Sequence, residues 1–96
     1  MQAENVRPSI LCFSGLDPSG GAGLQADIEA ISSCGGHALP IATCLTVQNT
    51  TGNISTNGIE PFIIQTQAEA LLEDMQVSAC KIGVIPNENI ARSIAM

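Results

Sequence analysis

Aromatic side chains are nearly absent: the 96 residues include no tryptophan, no tyrosine and two phenylalanines. A buried core must therefore rest on Ile, Leu, Val and Ala. Positive charge is as scarce. Arg7, Lys81 and Arg92 are the only Lys or Arg residues against nine acidic ones, a formal net charge of −6. No basic patch exists for a nucleic-acid backbone or an anionic membrane surface. The acidic balance favours solubility without naming a partner. No apolar run approaches transmembrane length, and residues 1–8 contain no apolar signal core. The expected location is the cytoplasm. Cys12, Cys34, Cys44 and Cys80 form no C-x-x-C pair, and their neighbours are apolar or glycine. Four reduced, mostly buried thiols are expected rather than disulfides or a metal site. There is no internal repeat and no low-complexity tract, and the length allows at most one domain.

What the chain does have is a glycine-rich turn, Ser14-Gly15-Leu16-Asp17-Pro18-Ser19-Gly20-Gly21-Ala22-Gly23, between a short apolar run and a helix-patterned segment. Strand, glycine turn, helix is the arrangement that presents backbone N–H groups and a helix N-terminus to a ligand. It also serves as a plain short connection with no ligand. A Walker A loop is excluded, because Gly21 and Ala22 stand where Lys and Ser/Thr would have to be. Gly21-Ala22-Gly23-Leu24-Gln25-Ala26 fits the loose G-x-G-x-x-A dinucleotide pattern. That pattern needs an acidic residue about 20 positions on, and no Asp or Glu lies between Glu29 and Glu60.

Periodicity assigns the elements. Residues 9–13 read as a buried strand. A helix is expected from Gly21 or Ala22 to Cys34, closed by Gly35-Gly36, with Leu24, Ile28 and Ile31 as its apolar stripe. At 100° per residue, Asp27 lies about 65° from the stripe centre and Glu29 about 135° away. Glu29 is a solvated charge. Asp27 sits at the edge of the buried face, either as a pocket carboxylate or as a complement to the helix dipole. Residues 38–47 read as a strand apolar on both faces, as in a parallel sheet covered by helices. His37, at its start, reads as a surface or cap residue. Residues 53–60 suit a small edge hairpin or flap. A second helix is expected over 61–75, with Ile64, Ala68, Leu71, Leu72 and Met75 inward. A third strand follows over 80–85 and a third helix from Asn87.

The order β-α-β-flap-α-β-α describes an open α/β sheet with right-handed crossovers. Ligands bind beyond the carboxyl ends of such strands. Gly15 with its glycine turn, Gln48-Asn49 and Gly83-Val84-Ile85 meet at that edge, and Asp27 faces it from the first helix. A carboxylate, an amide and exposed backbone suit a small polar heterocycle with amino and ring-nitrogen groups.

The run Gly15-x-Asp17-Pro18-Ser19-Gly20-Gly21-Ala22-Gly23-x-Gln25-Ala26-Asp27, followed by Thr46-x-Gln48-Asn49-Thr50 and Lys81-Ile82-Gly83, resembles the hydroxymethylpyrimidine/phosphomethylpyrimidine kinases of thiamine synthesis. These belong to the ribokinase-like superfamily, which includes pyridoxal kinases. The resemblance covers nearly the whole chain, from about Ile10 to Met96. It implies a three-layer α/β/α fold, of which residues 1–96 would form the N-terminal part, with about three parallel strands, three helices and a loose lead-in over 1–8. It implies ATP-dependent phosphorylation of 4-amino-5-hydroxymethyl-2-methylpyrimidine and then of its monophosphate. By position, Gly15, Asp27 and Gln48 would line the pyrimidine pocket, with Val84 against the ring. The family pattern usually has methionine at Val84 and a polar residue or histidine at Leu16, which keeps a pyridoxine-type substrate open. ATP and Mg²⁺ are implied as cofactors, but the family's ATP site, anion hole and general base lie beyond a chain of this length. No catalytic or metal-ligating residue is therefore assigned here. A homodimer, or a C-terminal half supplied separately, is the protein partner this implies. A non-catalytic fragment that binds a heterocycle or a protein is the other reading.

Overall fold

The computed structural model describes residues 7–95, so most of the expected lead-in lies outside the described residues. Seven elements follow one another: β1 (Ser9–Leu16), α1 (Gly23–Ser33), β2 (His37–Asn49), β3 (Gly52–Gly58), α2 (Pro61–Asp74), β4 (Ala79–Ile82) and α3 (Glu88–Ala95). They build one four-stranded sheet in the order β3-β2-β1-β4. β1 lies parallel to both β2 and β4, and β3 adds antiparallel to β2. The three expected parallel strands are thus joined by a fourth, which is the expected flap.

Side-chain alternation along β1 sorts the helices onto two faces. Leu11 and Phe13 join Leu39 and Ile41 of β2 in a cluster closed by Ile64 of α2 and Ile90 of α3. Ile41, Ile64 and Ile90 are essentially inaccessible to water. Burying a side chain of that size contributes about 1.5–3 kcal/mol. α1 packs on β1 and β2 from the other face, where Leu24 is buried and Ile28 and Ile31 are half-buried.

Local signals end each helix. At the close of α1, Gly36 N–H donates to Ile31 O at 2.8 Å and Gly35 N–H to Ser32 O at 3.1 Å. With Gly35 at φ 90°, this is a Schellman stop. Pro61 opens α2, and the Glu60 carboxylate accepts from Ile63 N–H at 3.2 Å. Asn87 Oδ1 caps α3 by accepting from Ile90 N–H at 2.9 Å. Pro40 sits inside β2, opposite Cys12 of β1, where β3 does not reach. Its missing N–H therefore leaves no ladder bond broken.

Three expectations are corrected. Leu72 is 58% exposed rather than part of the inner face of α2; it borders an open cavity beside Ile82 of the edge strand β4 and Ile94 of α3. Cys12 and Cys44 are buried, but Cys34 and Cys80 are exposed. Cys34 follows the last turn of α1, and β4 is an edge strand exposed along its whole length. β4 itself ends at Ile82; Gly83 N–H still donates to Phe13 O of β1 at 2.6 Å, and residues 84–85 do not extend the strand.

Candidate functional site

The glycine turn is filled by one of its own side chains. Asp17, 5% exposed, accepts from both the backbone N–H and the hydroxyl of Ser19 at 2.8 Å. The Ser19 hydroxyl, with backbone N–H groups of Ser19, Ala22 and Gly21, holds the Asp17 carboxyl below the ordinary aspartate range, outweighing burial, which pushes it up. Donors that could have cradled a phosphate therefore face an internal carboxylate. The turn closes against β1 at Gly23, whose φ is 67°. A Cβ there would run into the Gly15 carbonyl oxygen, so only glycine allows the chain to pass this close.

Gly15 is the penultimate residue of β1, opposite Cys44 of β2. A Cβ on it would lie 2.8 Å from Cys44 Sγ. Between Ser14 and Gly15 the pairing with β2 slips, leaving Thr43 as the extra residue. That bulge turns the buried Thr43 hydroxyl toward Val84, whose carbonyl oxygen accepts from it at 2.6 Å. Thr43 and Cys44 thus tie together the exits of β1 and β4. The Val84 side chain itself is 52% exposed.

Asp27 lies in the second turn of α1. Its carboxylate Oδ1 accepts from Lys81 Nζ of β4 at 2.8 Å, while Oδ2 is buried with no hydrogen-bond partner. The Cys12 thiol of β1 shares this environment. Burial pushes it up, the Asp27 carboxylate pushes it further up, and the Lys81 ammonium pulls it down. Gly83 leaves room here, since a Cβ would strike the Ser14 hydroxyl and come within 3.3 Å of Lys81 Nζ.

Gln48 stands further out. It is partly buried in the part of β2 that outruns β1, paired with Asn53 of β3. No hydrogen bond joins it to Gly15, Asp27 or Val84 among the described residues. The structure therefore gathers Gly15, Val84 and, through Lys81, Asp27 at the ends of β1 and β4, and sets Gln48 on the hairpin beyond them. Thr43 and Lys81 escaped the sequence reading as site residues because each acts through a contact that local spacing does not mark; the inward Asp17 acts locally, on Ser19 two residues on, and its Asp-Pro-Ser turn could have shown it.

Two open cavities flank the exposed edge of the sheet. One of about 300 Å³ is lined by Leu11, Phe13, Ala68, Leu72, Ile82 and Ile94 among others. The other, of about 410 Å³, lies on the opposite face against Ile10, Ala30, Ile31, Cys34 and Lys81. Neither includes Gly15, Asp27, Gln48 or Val84.

The sequence model of the family described as phosphomethylpyrimidine kinase matches residues 17–96. The chain belongs to the phosphomethylpyrimidine kinase family. The Escherichia coli hydroxymethylpyrimidine/phosphomethylpyrimidine kinase is 36% identical over 89 residues, which are 93% of this chain and 34% of that protein. The solved phosphomethylpyrimidine kinase of Clostridium difficile superposes with a TM-score of 0.86 at 36% identity, over 92% of this chain and 38% of its own. The Bacillus subtilis pyridoxal kinase, at 24% identity and a TM-score of 0.80, shares the fold. The ribokinase-like α/β class is thereby shown, and the chain spans about a third of the length of the curated phosphomethylpyrimidine kinases it matches.

Among the described residues, no three His, Cys, Asp or Glu side chains stand close enough to hold a metal ion. With the glycine turn already occupied by a carboxylate, the residues present do not fit an ATP–Mg²⁺ site. No described helix is long and apolar enough to cross a membrane.

Proposed function

We infer that this chain forms the substrate-binding part of a hydroxymethylpyrimidine/phosphomethylpyrimidine kinase, a phosphotransferase of thiamine synthesis. The observation that carries the reading is the unpartnered buried oxygen of Asp27, at the ligand-binding edge of a sheet whose sequence matches that family. An aminopyrimidine supplies the N–H donor this oxygen lacks. Gln48 offers both a donor and an acceptor to the ring nitrogens, Gly15 allows close approach to its strand, and Val84 gives an apolar surface to the ring. ATP serves as phosphoryl donor with Mg²⁺, on parts of the kinase that this chain does not span. What these residues contribute is binding and orientation of the hydroxymethyl group, on which phosphoryl transfer depends.

The test is calorimetric titration of the complete polypeptide carrying this sequence with 4-amino-5-hydroxymethyl-2-methylpyrimidine and, separately, pyridoxine. Asp27→Asn is expected to weaken pyrimidine binding by about 1.5–3 kcal/mol, the range for a hydrogen bond to a charged group. Unchanged affinity rejects the pocket. Tighter binding of pyridoxine than of the pyrimidine moves the substrate to the pyridoxal kinase class, the outcome that valine at position 84 and leucine at 16 leave open.

A further inference from the structure

Lys81 has no role in the pocket as described so far, yet its ammonium decides how Asp27 is presented. The two side chains come from elements far apart in sequence, Asp27 from α1 and Lys81 from β4. Their settings differ: the Lys81 side chain is 47% exposed and that of Asp27 only 14%. The contact is one-sided. Nζ lies 2.8 Å from Oδ1, and Oδ2 is left buried without a donor. A buried carboxylate oxygen in that condition is uncommon in folded proteins, and it has acceptor capacity that a ligand N–H can fill. Fixing Oδ1 also fixes the rotation of the carboxylate about its Cβ–Cγ bond, so the direction of Oδ2 is set by Lys81. The surroundings are cleared for this contact: Gly83 has no side chain to displace Nζ, and the Ser14 hydroxyl borders the same space.

We propose that Lys81 is a positioning residue of the substrate pocket, holding Asp27 by Oδ1 so that Oδ2 is aimed at an N–H donor of the ligand. The proposal rests on the pocket reading above. It separates from a purely structural tie between α1 and β4 by ligand chemistry. A structural tie, once cut, weakens every ligand of the pocket alike. A positioning residue, once removed, penalises only a ligand that donates to Asp27.

The experiment uses the complete polypeptide and two probes, 4-amino-5-hydroxymethyl-2-methylpyrimidine and its analogue without the 4-amino group, titrated by calorimetry. Lys81→Met is expected to weaken the amino compound about tenfold and the analogue less than about twofold. Lys81→Arg should restore most of the preference, because a guanidinium also reaches a carboxylate. An equal loss for both probes in Lys81→Met, or a preference left at the wild-type value, overturns the proposal. Thermal melts accompany each variant. If Lys81→Met does not fold, Lys81→Ala carries the same comparison, since it too offers no donor to Asp27. Failure of both to fold assigns the pair to stability and also overturns it. Asp27→Asn separates the two layers. If it leaves the preference for the amino probe intact, the pocket reading itself is wrong. If it abolishes the preference and Lys81→Met does not alter it, only the role of Lys81 falls.

Discussion

Asp17 and Asp27 bring the same functional group into opposite circumstances. Asp17 is supplied with donors by its own turn, and Asp27 has one buried oxygen still without a donor. The first is therefore a structural carboxylate, and its charge has a readable consequence. Because its folded-state pKa is lowered, its stabilising contribution is present above the unfolded value of about 3.9. That contribution is lost as pH falls through the folded value. Asp17→Asn should melt below wild type at pH 7, and the gap should narrow as the pH falls below about 4. A gap independent of pH would mean that the charge is not what organises the turn. Gly23 allows a second comparison. Gly23→Val meets both a left-handed φ of 67° and the Gly15 carbonyl, whereas Gly35→Val meets only its φ, with nothing within 4 Å of a Cβ. Thermal melts should show the larger loss at Gly23, and equal losses would remove the packing argument for the junction.

Among the elements, the apolar periodicity of α2 reads correctly at Ile64, Ala68, Leu71 and Met75, which pack on or into the core. It misreads Leu72 because a stripe of residues cannot say how wide the covering layer is. Ile64→Ala should cost about 2–5 kcal/mol in denaturant unfolding, as a large buried side chain does. Leu72→Ala should stay within roughly 0.5 kcal/mol of wild type. Comparable losses would mean that α2 is covered on both flanks. The strands were legible as strands, but their ends were not. Ser14-Gly15 reads as the start of a turn, yet both remain paired with β2 because Gly15 fits against Cys44. β2 runs on to Asn49 because β3 gives it a second neighbour. The motif residues Gly15, Asp27, Gln48 and Val84 could be marked from the sequence; Gly15 lies near the end of β1, Val84 just past β4, and Asp27 meets Lys81 of β4. Their supports could not be marked. Thr43 reaches Val84 across 41 residues, and Lys81 reaches Asp27 across 54. Such pairings follow from strand order and a bulge, which leave no local trace.

The described residues have a radius of gyration of 14.0 Å, above the value of about 12 Å typical of a closed domain of that length. The excess fits a bare flank: β4 is exposed throughout, and apolar cavities open on both faces beside it. Residues 1–96 by themselves are expected to release no ADP from ATP with hydroxymethylpyrimidine or pyridoxine in a coupled assay. The chain offers no Lys or Arg in its glycine turn to neutralise a transferring phosphate. Turnover above a no-enzyme control by the purified, monodisperse chain would show that the catalytic machinery has been misplaced. The strand order also bears on time. β2 and β3 are neighbours in sequence and in space, whereas Leu11 must wait for Cys80 before β1 gains its second partner. Contacts that close long loops form late and slowly. The hairpin that carries Gln48 should therefore be in place early in refolding, and the Asp27–Lys81 contact should form among the last. On the proposed pocket, pyrimidine binding in stopped-flow refolding of the complete polypeptide should return only with the slowest phase, lagging behind the recovery of secondary structure.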